Sequence, residues 1–174
     1  YGPANDGIVE NTGSFSWTAP AGITTTGVLR ITGVGSTGTT VTGTNFEIRG
    51  SLTLTDPSDG AESWDVGSTY NVTWTKKGTL ATVKLRYSAD AGSTWSDLVL
   101  GVSAAAGTWP WNIAQSVRAS AQARVRVQDE ALAVIFDDSD FNFTVKGQLI
   151  LSTPDAANID LIYGGSPYAI TWTK

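Results

Sequence analysis

The chain repeats itself with a period close to the size of one small domain, and that period constrains its fold more than any local pattern does. Gly13-Ser-Phe-Ser-Trp17 matches Gly107-Thr-Trp-Pro-Trp111, and Leu29-Arg-Ile31 matches Ala123-Arg-Val125, both at an offset of 94 residues. Phe46-Glu-Ile-Arg-Gly50 matches Phe143-Thr-Val-Lys-Gly147 at an offset of 97, which places a three-residue difference in the loop between those strands. The other half of the unit repeats as well. Leu52-Thr-Leu-Thr-Asp-Pro57 matches Leu149-Ile-Leu-Ser-Thr-Pro154, and Gly67-Ser-Thr-Tyr-Asn-Val-Thr-Trp-Thr-Lys76 matches Gly165-Ser-Pro-Tyr-Ala-Ile-Thr-Trp-Thr-Lys174. Residues 1–50 therefore read as the C-terminal part of one module, 51–147 as a complete module, and 148–174 as the N-terminal part of a third.

Within the complete module the apolar residues alternate with polar ones: Tyr70, Val72 and Trp74, then Val83, Leu85 and Tyr87, then Val125 and Val127, then Phe141, Phe143 and Val145. A period of two is that of half-buried strands, and no stretch carries a helical period. Strands are expected near 51–55, 69–75, 81–88, 94–100, 107–113, 121–129 and 141–146, with a short one around 63–65. Seven short strands separated by Gly, Asp and Ser turns fit an all-β fold of tandem immunoglobulin-like or fibronectin-III-like β-sandwich modules. Trp64, Trp74, Trp109 and Trp111 are expected in its core. At Arg49-Gly50-Ser51 and Lys146-Gly147-Gln148 one module runs into the next through a single glycine, a joint with little freedom that suits a rod-like array.

Both ends fall in mid-module. An unpaired sheet edge and an uncovered apolar face are costly, so the expectation is a segment of a longer tandem array. The rival is strand donation, in which the front piece of one molecule completes the back piece of the next. Against it, the composite lacks an equivalent of the Ala81 to Trp95 hairpin.

Composition narrows the chemistry. The 174 residues include no cysteine, histidine or methionine, which removes thiolate and imidazole metal sites, Cys or His nucleophiles and any Ser-His-Asp relay. A formal net charge of −5 opposes general nucleic-acid binding, which needs a cationic surface. No apolar run is long enough to insert in a membrane.

From Pro57-Ser-Asp-Gly-Ala-Glu-Ser-Trp-Asp-Val-Gly-Ser-Thr-Tyr-Asn-Val-Thr-Trp74 the sequence resembles the immunoglobulin-like module of the Kre9/Knh1 and Ser-Thr-rich GPI-anchored wall proteins of fungi, and related repeats of large bacterial and archaeal surface proteins. Leu85 to Trp95, Gly107 to Trp111 and Ala123-Arg-Val-Arg-Val-Gln-Asp129 continue the likeness. Ala61 replaces a frequent second glycine, and Ala156-Ala-Asn-Ile-Asp160 departs from the pattern in the third module. The resemblance implies an extracellular, cell-surface or cell-wall protein.

Several groups are candidates for function. Ser88-Ala-Asp-Ala-Gly-Ser-Thr-Trp95 has the letters of an Asp-box, but as a single copy it reads as a structural hairpin. In it, Ser88 and Asp90 bond turn amides, Gly92 takes a positive φ and Trp95 packs beneath the turn. Asp56, Asp59 and Glu62, and separately Asp137, Asp138 and Asp140, are candidate calcium ligands or paired acids, without EF-hand spacing. Solvated turns are the plainer explanation. Lys84, Arg86, Arg124 and Arg126 point away from the core, and form a basic stripe for lateral assembly if their strands pair. Asn71 and Asn142 open N-glycan acceptor patterns, and Thr24, Thr25 and Thr26 lie in a threonine-rich surface suited to O-linked glycans.

The expected function is non-catalytic: a structural repeat of a large surface-layer or filament-forming protein, acting in assembly and spacing. Its partners are other copies or other modules, or surface glycans, and no cofactor is required beyond the calcium alternative. The second reading is an adhesin or carbohydrate-binding accessory module of a secreted enzyme.

Overall fold

The computed structural model describes residues 12–35, 38–154, 164–165 and 167–173. The strands are β1 (Thr24–Gly27), β2 (Arg30–Thr32), β3 (Thr40–Thr42), β4 (Phe46–Ile48), β5 (Ser51–Asp56), β6 (Ser63–Asp65), β7 (Thr69–Lys77) and β8 (Thr82–Ser88). They continue as β9 (Ser96–Ser103), β10 (Thr108–Asn112), β11 (Ser120–Asp129), β12 (Phe136–Asp138), β13 (Phe143–Lys146), β14 (Ile150–Thr153) and β15 (Thr171–Thr173), with a 3-10 turn at Ala104–Ala106. The chain divides into two compact units. One holds the described residues up to Ser51 together with Lys77–Leu80, and the other holds Leu52–Lys76 and the described residues from Ala81 on.

In the second unit, β10, β7 and β5 form a three-stranded sheet in that order. A larger sheet runs β6-β13-β11-β8-β9, with β12 also paired to β11. The β13–β6 pair is parallel, and the β10–β7, β11–β8 and β8–β9 pairs are antiparallel. Each sheet buries one face, as period-two sequences require. Leu52, Leu54, Val72, Trp74 and Trp111 are buried from the smaller sheet; Trp64, Val83, Leu85, Tyr87, Val125, Val127, Phe143 and Val145 from the larger. Rings from the two sheets meet: Trp111 of β10 lies 5.2 Å from Tyr87 of β8 and 6.0 Å, edge-on, from Trp64 of β6. The architecture is all-β and consistent with a β-sandwich type. Burying each such side chain contributes about 1.5–3 kcal/mol, and the Trp74 indole N–H is satisfied by the Ala104 carbonyl at 3.0 Å.

Eight strands expected from alternation form near their expected places, including the short one at Ser63–Asp65. β12 was not expected: its Phe136-Asp-Asp138 has one apolar residue, too short a run to show a period. Trp109 is only half-buried, because β10 is an edge strand of the smaller sheet.

The first unit carries a ladder that duplicates part of the second. β2 pairs β3 through Arg30 with Thr42, Ile31 with Val41 and Thr32 with Thr40. β11 pairs β12 through Arg126 with Asp138, Val127 with Asp137 and Gln128 with Phe136, each residue 96 positions later. The bonds around these ladders match as well. Gly33 N–H donates to Thr39 C=O at 2.8 Å and Gly43 N–H to Leu29 C=O at 2.9 Å, while Asp129 N–H donates to Ile135 C=O and Ser139 N–H to Val125 C=O, both at 2.9 Å. β1 with β4 (Thr24 with Ile48, Gly27 with Phe46) likewise repeats β11 with β13 (Ser120 with Val145, Ala123 with Phe143).

This corrects the alignment of Leu29-Arg-Ile31 with Ala123-Arg-Val125. The ladders put Ile31 in the place of Val127, two residues further on. A slip of two keeps every side chain on its own face, so alternation alone cannot detect it. Only one extra residue therefore lies between Gly43 and Phe46, where three were expected after the strand.

Gly13 to Trp17, the sequence counterpart of β10, forms no strand, although Trp17 meets Phe46 edge-on at 6.0 Å. In the second unit β10 depends on β7 for its ladder. At the joint, a Cβ on Gly50 would stand 2.7 Å from the Lys77 carbonyl oxygen and 2.8 Å from a Leu80 methyl, so that position tolerates no side chain. β14 and β15 pair as β5 and β7 do. The departure at 156–160 lies outside the described residues.

Candidate interaction face and acidic turns

The outer face of the larger sheet gathers the four basic candidates and Asp138. β8 and β11 pair as the basic-stripe expectation required, and Arg126 stands directly opposite Arg86, with Gln128 opposite Lys84 and Arg124 opposite Ser88. Like charges directly opposed would destabilise the sheet. The next strands outward answer this. Asp138 of β12 faces Arg126, and Asp97 of β9 faces Arg86, giving a row Asp138-Arg126-Arg86-Asp97 across four strands. The Arg126 guanidinium binds both Asp138 oxygens at 2.6 and 2.8 Å. Arg86 Nε donates to Asp97 at 2.7 Å and its Nη2 to the Trp95 carbonyl at 3.3 Å. Arg124 Nε donates to Asn142 Oδ1 at 2.7 Å.

Arg126 is also held between two rings, 4.4 Å from the centroid of Trp95 and 4.1 Å from that of Phe136. A cation stacked on aromatic faces and bonded bidentately to a carboxylate is the arrangement that guanidinium geometry favours. The stripe is therefore charge-balanced rather than bare. The missed members, Asp97, Trp95 and Phe136, come from β9, its preceding turn and β12, which pattern reading did not connect to β11. Glu130, at the end of β11, accepts the Gly101 amide at 2.9 Å. A hydrogen bond with the Thr82 side chain, then that amide and the Lys84 charge, hold its carboxyl below the usual range.

The hairpin between β8 and β9 has the expected construction. Ser88 Oγ donates to Asp90 at 2.7 Å and accepts the Gly92 amide at 2.8 Å. Asp90 accepts the Thr94 amide at 2.8 Å and the Thr94 hydroxyl at 2.6 Å. Those Thr94 bonds, with the one from Ser88, lower the Asp90 pKa to about 2. Gly92 has φ +89° and lies against the Trp95 ring, and Ala91 is also left-handed at φ 55°, which the sequence did not suggest. Ser120 ties the turn down by donating to the Ala89 carbonyl at 2.7 Å.

The two acidic turns adjoin, since Asp140 N–H donates to Ser58 Oγ at 3.1 Å. Three of their carboxylates serve the backbone. Glu62 Oε1 accepts the Ser58 and Asp59 amides at 2.6 and 3.0 Å, Asp59 accepts that of Ala61 at 2.8 Å, and Asp137 accepts that of Leu54 at 2.8 Å. Burial, then the Glu62 and Asp59 charges, raises the Asp56 pKa. Among the described residues no three His, Cys, Asp or Glu side chains are grouped to hold a metal ion.

The residues that carried the family resemblance are building parts of this same region. Trp64 stacks on Tyr70 at 4.9 Å with rings 3° from parallel, and the Tyr70 hydroxyl accepts the Asp65 amide at 3.0 Å. Gly67 has φ +87°. Of the candidate glycan acceptors, Asn71 is exposed on β7, whereas Asn142 is engaged by Arg124. Thr25 and Thr26 are exposed and Thr24 half-buried, its hydroxyl accepting the Thr26 amide at 3.2 Å.

No family model matches the chain, and no curated protein matches it. Among the described residues no helix is long and apolar enough to cross a membrane.

Proposed function

We propose that the chain is a segment of tandem immunoglobulin-like modules whose work is structural: spacing and assembly within a large extracellular surface protein. The observation that carries this reading is the duplicated ladder, in which β2–β3 repeats β11–β12 pair by pair at a constant separation of 96 residues. A chain that builds the same strand arrangement twice, at a spacing of one sandwich domain, is organised as an array.

The candidate chemical groups support the same reading. Arg86, Arg126, Asp97 and Asp138 are engaged with one another, and Glu62, Asp59, Asp90 and Asp137 with backbone amides. Arg30 and Thr42 stand where Arg126 and Asp138 do, so the ion pair belongs to one copy and not to the repeat. A cell-surface location rests on the resemblance to wall-protein modules. Electron microscopy of the native protein tests the proposal. A filament or lattice with this module as its repeating unit supports it. Discrete particles that bind glycans, with binding lost on Phe141→Ala, would favour the adhesin reading instead.

A further inference from the structure

The longer and flatter a free sheet edge, the more readily a second chain adds to it, because its outward amides and carbonyls lack partners. In the second unit most edges are blunted by their own sequence. β9 pairs only β8, and its register slips twice, once between the Val83–Val102 and Leu85–Val99 pairs, at Gly101 with φ +73°, and again before Arg86–Asp97. Such slips twist an edge strand away from a flat template. β10 pairs only β7 and holds Pro110. Because the Gly107 carbonyl takes the Trp74 amide, Trp109–Val72 and Trp111–Tyr70 are the hydrogen-bonded pairs, and Pro110 lies between them, where an amide would point outward. β6 and β12 are each three residues long.

β5 is the exception. It has β7 on one side only and runs Ser51-Leu-Thr-Leu-Thr-Asp56, without proline and without a charge before its last residue. A strand of alternating Leu and Thr is a template for a second copy of itself. We infer that Asp137 is a latch whose carboxylate closes the β5 edge to strand addition by a second copy, in place of the charge or proline that β5 lacks. Asp137 lies on β12 of the other sheet, opposite the fully buried Val127. Directly opposed residues share a face, so its side chain points inward between the sheets. There Oδ2 accepts the Leu54 amide at 2.8 Å. A strand docking on β5 would have to take that amide and leave a half-buried carboxylate unpartnered, which is costly. In the first unit Val41 stands at the place of Asp137, so the latch belongs to the complete module and not to the repeat. The bond is internal to that module, and its test therefore does not depend on the array reading.

Val41 also supplies the variant: Asp137→Val keeps a strand-forming residue opposite Val127 and removes the acceptor. Hydrogen exchange of the full chain at rising protein concentration reads each edge separately. In the wild type the exchange of β5 amides should be independent of concentration. In Asp137→Val the Leu54 amide should exchange about tenfold faster in dilute solution, and slow again as concentration rises about a hundredfold, with the change confined to β5. Asp137→Asn keeps an acceptor oxygen and should behave as the wild type. Thr53→Lys added to Asp137→Val places like charges across a β5–β5 pair and should remove the concentration dependence. Val72→Ala weakens the core with the Leu54 bond in place and should show none. Concentration-independent β5 exchange in both Asp137→Val and Asp137→Ala would overturn the latch. So would equal concentration dependence in Val72→Ala, or failure of both Asp137 variants to fold, which would make the residue a support of the fold instead.

Discussion

Trp74 shows how one residue ties β7 to the turn that precedes β10: its ring is buried and its indole N–H is bonded to the Ala104 carbonyl. Trp74→Ala should cost about 3–5 kcal/mol in urea unfolding, because it opens a cavity and leaves that carbonyl without its partner. Asp90 makes a different kind of prediction. Its folded pKa, about 2, lies below the ordinary aspartate value of 3.8, so its contribution to stability is present above pH 3.8 and is lost as pH falls through about 2. An NMR titration of the Asp90 carboxyl should give a midpoint near 2, and Thr94→Val should move it up toward 3.8. A midpoint already at 3.8 in the wild type would remove the hairpin assignment. These side chains were legible from sequence because the short Ser-x-Asp-x-Gly-x-Thr spacing keeps every partner within one turn. Arg126 was legible only as an outward charge, since its partners Asp138, Trp95 and Phe136 reach it from other elements.

At the scale of elements, strand positions were readable and strand pairing was not. Alternation located β5, β7 to β11 and β13, because each has apolar residues at every second position. It left β12 unseen, because that strand has a single apolar residue, and it misplaced the repeat by two residues along the first module's strand, because period two is blind to shifts of two. The ladder resolved both, and with them the charged row on the outer face. If Arg126 and Asp138 act as a unit, a double-mutant cycle with Arg126→Ala and Asp138→Ala should return a coupling of about 1 kcal/mol. Arg126→Lys should lose much of it, since lysine cannot make the bidentate bond. Additive effects in the cycle would reduce the row to unrelated surface charges.

For the whole molecule, the repeat is what the sequence made plain and the paired ladders made structural. The separation of 96 residues holds across three paired positions and the two carbonyl bonds that flank them. Function was less legible, because the carboxylates and guanidiniums that could carry chemistry are the same groups that build turns and balance a sheet. The central claim is that residues 13–50 are the back half of the module whose complete form spans 51–147. A chimera joining 51–106 directly to 13–50, in place of 107–147, tests it most directly. Hydrogen exchange on that chimera should show cooperative unfolding, with the Ile31, Gly33 and Gly43 amides protected as those of Val127, Asp129 and Ser139 are in the parent chain. A chimera whose 13–50 amides exchange freely, with no cooperative transition, would contradict the claim.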